Sequence, residues 1–150
     1  MNFLMGASLK SKFIEISGRV TSGKGLAVET IPKQYLYLVQ HFPEIYNIHK
    51  ASINVRLNVP VVFMDWDFTS PPIAWREDGC TERFSFRRIL FQVDHSIFKA
   101  WIYHPHKSSN SYDPYLVEIV LPHIDIEINS KCNIFIYSKS IIKDELIVVN

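Results

Sequence analysis

Ala51-Ser52-Ile53-Asn54-Val55-Arg56-Leu57 is the stretch that decides how this chain is read. Ile53, Val55, Leu57 and Val59 are apolar and alternate with polar Ser52, Asn54, Arg56 and Asn58, the period-two pattern of a strand with one buried face. Successive side chains on a strand point to opposite faces, so Ser52 and Asn54 project together, roughly 6.5 Å apart. A hydroxyl and an amide oxygen side by side are hard, neutral ligands. They suit Mg²⁺ when a substrate's phosphates supply the negative charge. An ordinary solvated strand face accounts for the same residues, so the metal needs support from elsewhere in the chain.

Bulk composition narrows the field. The chain has 150 residues, 47% hydrophobic and 21% charged, which is average for a globular protein and excludes disorder. That length predicts one domain with a real core. A formal net charge of +1 gives no electrostatic case for nucleic acid or an anionic membrane, so an anionic ligand must be held locally. Cys80 and Cys132 lie far apart without metal-type spacing. They are expected as reduced, buried thiols, with a single disulfide as the alternative. The first five residues are too short for a signal-peptide core. No run approaches the ~18 apolar residues of a membrane span. A soluble, cytoplasmic protein is the expectation.

Taken in order, residues 1–12 read as an N-terminal arm and 13–150 as one domain. A strand over 13–21, interrupted at Gly18, runs into Ser22-Gly23-Lys24-Gly25, and residues 26–30 read as a returning strand. Pro32 is expected to open the one convincing helix, with Tyr35, Leu38, Val39 and Phe42 on a single stripe. Pro43 stops it. Val61-Val62-Phe63 reads as a continuation of the 51–59 strand past Pro60. Residues 65–81, with Trp66 and Trp75, read as a long ordered loop, a length that is often functional. Phe84 and Phe86 alternate in one phase while Ile89, Phe91 and Val93 alternate in the other, which predicts a bulge or bend at Arg87-Arg88. Further strands are expected over 98–103, 115–120, 133–137 and 146–149, with a polar loop over 106–113 and a short turn over 123–129. Many short strands, one main helix and no βαβ rhythm predict a small, mostly antiparallel β-barrel.

Gly18-Arg19-Val20-Thr21-Ser22-Gly23-Lys24-Gly25 is the second informative stretch. Glycines let backbone N–H groups turn toward an anion, and Lys24 adds a charge, so a phosphate cradle is reasonable. A tight turn explains the glycines equally well. The full G-x-x-x-x-G-K-[ST] pattern is absent and the next residues read as strand, which argues against a P-loop; the dinucleotide fingerprint is absent too.

The order of strand, S-G-x-G, helix and A-S-I-N-V-x-L resembles that of the archaeal-type CTP-dependent riboflavin kinases, which are closed antiparallel cradle-loop β-barrels. The resemblance continues through Phe84-Ser85-Phe86 and Phe91-Gln92-Val93, the Pro105-His106-Lys107-Ser108 loop, and Val117-Glu118-Ile119-Val120-Leu121-Pro122. It spans about residues 13–138. It implies that Ser52 and Asn54 bind Mg²⁺, and that Gly23, Lys24, Gly25, Leu26, Ala27 and Val28 contact the phosphates of CTP. His123, Ile124, Asp125 and Ile126 would make a second nucleotide contact. Ser108 and Glu118 would meet the flavin, with Glu118 holding the ring or accepting the proton of the attacking ribityl hydroxyl. The implied activity is phosphate transfer from CTP to riboflavin, giving FMN and CDP.

Several positions depart from the family pattern. Ala27 replaces the third loop glycine, Ala51 a glycine, and Asp125-Ile126 stands where Leu-Arg is usual. A non-catalytic barrel that binds flavin or nucleotide, as sensor or carrier, is therefore the alternative, and a protein-interaction module using the 65–81 loop is a third. His104 and His106 flank Pro105 as a possible metal pair without an evident third ligand. Asp65 and Asp67 flank Trp66 as a possible carboxylate pair. Loop histidines and a solvated turn explain both equally simply.

Overall fold

The computed structural model describes residues 13–21, 26–49, 51–107, 113–122, 125–137, 141–143 and 146–149. The elements are β1 (Phe13–Thr21), α1 (Leu26–His41), a 3₁₀ turn (Pro43–Ile45), β2 (Ile53–Leu57), β3 (Val61–Phe63), β4 (Phe68–Thr69) and β5 (Phe84–Val93). They continue with β6 (Ser96–Pro105), β7 (Leu116–Val120), β8 (Lys131–Tyr137), β9 (Ile141–Lys143) and β10 (Leu146–Val149). Seven strands form an antiparallel sheet in the order β4-β5-β6-β7-β2-β1-β8, and β5 also pairs with β8. The extra pairing joins six of the strands into a ring. A separate three-stranded sheet has the order β3-β10-β9.

Alternation along the ring strands sorts side chains into two cores. Ile14, Ile16 and Val20 of β1, Val55 and Leu57 of β2, and Val117 and Ile119 of β7 join Phe91, Ile102 and Ile134 in one buried cluster. That cluster draws on all six ring strands and so fills the ring. Gly18 points into it. An added Cβ there would lie 2.6 Å from the Arg56 carbonyl oxygen, so glycine is what lets β1 run unbroken past β2 rather than an interruption of the strand. The second cluster lies outside the ring, where Ile31 and Leu38 of α1 cover Phe84, Phe86, Trp101, Tyr103 and Val120.

The structure corrects the sequence reading in several places. Residues 26–30 are helical and belong to α1, and Pro32 sits inside that helix instead of opening it. Val28 and Thr30 favour strand locally, but the segment is continuous with the helix that buries Ile31 and Leu38. No bulge breaks β5, which pairs residue for residue with β6 from Phe84↔Pro105 to Val93↔Ser96. Its apparent change of phase arises because both faces are buried at one end, where Phe84 and Phe86 lie under α1 and Ser85 and Arg87 are also enclosed. β3 does not prolong β2; it leaves the ring to pair in parallel with β10, Val61 opposite Ile147. Cys132 is buried as expected, whereas Cys80 is exposed, and both are free thiols.

Candidate functional site

Three neighbouring strands bring three distant parts of the chain into one row. Asn54 of β2 pairs with Thr21 of β1 on one side and with Glu118 of β7 on the other. The inward positions of these strands are Val20, Val55 and Ile119, so Thr21, Asn54 and Glu118 share the outer face. Ser52, two residues before Asn54, lies on that face as well, and its Oγ donates to Glu118 Oε2 at 2.9 Å. β1 therefore ends at Thr21, directly beside Asn54. Residues 125–130 approach the same end of β1, where the Asn129 N–H donates to the Val20 carbonyl at 2.7 Å.

The electrostatics of the row centre on Glu118. Burial pushes its carboxyl above the usual range, and the Ser52 hydrogen bond opposes that shift in part. Ser52 gives its proton to Glu118 and so keeps its oxygen lone pairs free. The Asn54 amide is only partly buried. Two neutral oxygens with one carboxylate behind them fit a hard cation that takes its remaining ligands from phosphates and water. No group of three or more His, Cys, Asp or Glu side chains poised for a metal occurs among the described residues, so a transition-metal centre of protein ligands is not what this row resembles.

A cleft opens beside the row. β6 and β7 pair only at Trp101↔Val120 and Ile102↔Ile119. Beyond that point the strands separate, where a continued ladder would set Tyr103 opposite Glu118 and His104 opposite Val117. A cavity of about 470 Å³ fills the gap, lined by Asn54 and Glu118 on one side and by Phe63, Trp66 and His104 on another. Trp66 stacks with two rings: Phe63 at 5.2 Å and 25°, and His104 at 5.3 Å and 5°. Burial, and then the nearby Glu118 and Glu82 carboxylates, push the Tyr103 phenol up, so it stays protonated. The aromatic column was not legible in the sequence, because it joins an irregular segment to a strand without periodicity to announce it.

The other expected site residues fall differently. Gly23, Lys24, Gly25, Ser108, His123 and Ile124 lie outside the described residues. Leu26, Ala27 and Val28 form the start of α1, so the backbone at Ala27 is helical and needs no glycine. Gly18, Gly23 and Lys24 do carry P-loop spacing, and a helix does follow. Even so, Gly25 stands at the hydroxyl position, and residues 18–21 are strand paired to β2 rather than loop. Asp125 is exposed, while Ile126 packs against the ring core and acts there as a packing residue.

The two alternative metal pairs are engaged in structural contacts. His106 Nε2 lies 2.7 Å from Ser85 Oγ, with its ring 5.3 Å from that of His104. Asp67 accepts from the Arg88 backbone N–H at 2.7 Å, and Asp65 Oδ1 accepts from the Trp66 N–H at 2.9 Å. Asp67 thereby fastens the aromatic loop to β5, whereas the Asp65 carboxylate bonds within the loop.

No protein-family model matches the chain, and no curated protein matches it. No described helix is long and apolar enough to cross a membrane.

Proposed function

We propose that this protein is a phosphotransferase of the CTP-dependent riboflavin kinase type, a cradle-loop β-barrel that moves the terminal phosphoryl group of CTP to riboflavin and yields FMN and CDP. One observation carries the reading: Thr21, Asn54 and Glu118 stand side by side on β1, β2 and β7. The glycine-rich segment, the S-x-N pair and the late glutamate are remote in sequence, and a kinase of this type needs them together.

In this reading Ser52 and Asn54 hold Mg²⁺ from the protein side. The bound ion supplies charge neutralisation to the donor phosphates, which is the main requirement of phosphoryl transfer. Glu118 faces the acceptor. It orients the flavin or takes the proton of the ribityl hydroxyl as the new O–P bond forms, and an elevated proton affinity suits the second role. The residues that begin α1 contact the nucleotide through backbone, and the helical Ala27 is compatible with that.

Purified protein given riboflavin, Mg²⁺ and each nucleoside triphosphate in turn, with FMN read by chromatography, tests the proposal. FMN formed with CTP is the expected result. Riboflavin binding without FMN from any triphosphate rejects the kinase and leaves a flavin-binding protein.

A further inference from the structure

The cleft between β6 and β7 has a chemistry of its own. Its described lining contains no lysine or arginine. Its acids are Glu118, which is bonded to Ser52, and Asp113, which pairs with Arg56 at 3.0 Å. Such a lining brings no cationic side chain to a triphosphate. The remaining wall is apolar, built from β3, Leu116 and Val117 around the aromatic column. A cavity of about 470 Å³ falls in the size range of small-molecule sites, roughly 300–1,000 Å³.

The column determines how a ligand meets this wall. Trp66 stacks with Phe63 and with His104, so this wall offers a planar ring further aromatic surface, by offset stacking or edge-to-face contact. Burial, and then the neighbouring His106, push the His104 imidazole down, so the column is neutral near pH 7.

We infer that the Phe63–Trp66–His104 column packs against a neutral, planar heteroaromatic ring, and that Trp66 and His104 are specificity-determining residues for it. The inference rests on the kinase reading only in identifying that ring as the flavin of the phosphate acceptor, with Glu118 and Asn54 at its polar end. The triphosphate is assigned to the β1–α1 side instead, outside this cleft.

Fluorine NMR on the full chain labelled with 5-fluorotryptophan tests the assignment, since Trp66, Trp75 and Trp101 are the only tryptophans and Trp66→Phe assigns the resonance of interest. Lumichrome, the ring without its ribityl chain, is titrated alongside riboflavin, cytidine and CTP. Lumichrome and riboflavin should shift the Trp66 signal and leave the other two in place. His104→Ala should weaken lumichrome binding by roughly three- to tenfold, the range expected for loss of one aromatic contact, and should raise the KM for riboflavin more than it lowers kcat.

The inference is overturned if lumichrome fails to bind, if it saturates the protein with the Trp66 signal unmoved, or if cytidine moves that signal and lumichrome does not. FMN formation with an unmoved Trp66 signal would reject the column and leave the kinase standing. A lumichrome-dependent shift with no FMN from any triphosphate would support the column and reject the kinase. The unsubstituted chain gives the decisive signal, and if Trp66→Phe fails to fold, Trp75→Phe and Trp101→Phe assign the Trp66 resonance by elimination.

Discussion

Ser52 and Glu118, 66 residues apart in sequence, share a hydrogen bond of 2.9 Å. The bond couples the expected metal ligand to the expected acceptor residue. Because burial raises the Glu118 carboxyl and Ser52 lowers it in part, Ser52→Ala should move its titration further up. Carbon-13 NMR of labelled glutamate side chains reads the shift directly, and an unchanged titration would mean that the bond is absent in solution.

Glu118 also carries a stability signature. A carboxyl raised in the folded state keeps its proton after the unfolded chain has lost its own. Its contribution therefore falls as pH rises from the unfolded value through the folded one. Glu118→Gln removes that penalty, so the variant should be at least as stable as the parent at neutral pH and should show a flatter pH dependence above the ordinary carboxylate range. Steady-state kinetics on the same variant separates its roles. A rise in KM for riboflavin with kcat kept marks a ring anchor, and a fall in kcat with KM kept marks a base.

Glu44 behaves in the opposite sense. Burial opposes its ionisation, but hydrogen bonds from Arg88 and the Trp101 indole N–H outweigh that and hold the carboxyl below its usual range. Its distances are 2.7 Å to both Arg88 Nε and Trp101 Nε1. A depressed carboxyl contributes stability above its unfolded pKa and loses it as pH falls through the folded one. Glu44→Gln should therefore lower thermal stability at neutral pH and narrow the gap to the parent in acid. A gap that widens on acidification would contradict this.

Gly18→Ala tests the close approach of β1 and β2. The new Cβ would meet the Arg56 carbonyl oxygen at 2.6 Å and Val55 Cγ1 at 3.1 Å. Overpacking of this kind typically destabilises by about 1–3 kcal/mol. Urea denaturation measures it, and a neutral result would show that the two strands part more easily than their register suggests.

The sequence was legible where one face of a strand meets water. Residues 13–21 and 53–57 alternate cleanly and form β1 and β2. Legibility failed where both faces are covered, as in β5, because burial from two sides removes the alternation. It failed again at 26–30, where β-branched residues favour strand locally but the backbone is the first part of α1. Of the site, Ser52, Asn54 and Glu118 were named from an order of motifs, and the ladder gives them adjacency. Trp66 and His104 were not found together, since stacking between a loop and a strand leaves no periodic trace. The exposed Cys80 shows the same limit, because spacing alone carries no information on burial.

The most direct measurement is phosphorus-31 NMR of the protein with riboflavin, CTP and Mg²⁺, run beside the Asn54→Ala variant. Asn54 lies on the outer face and outside both cores, so its removal should change folding stability by no more than about 0.5 kcal/mol. The account predicts FMN and CDP appearing in equal amounts with the parent chain and no FMN with the folded variant. Undiminished FMN from Asn54→Ala, or CTP left intact beside riboflavin in the parent reaction, would contradict it.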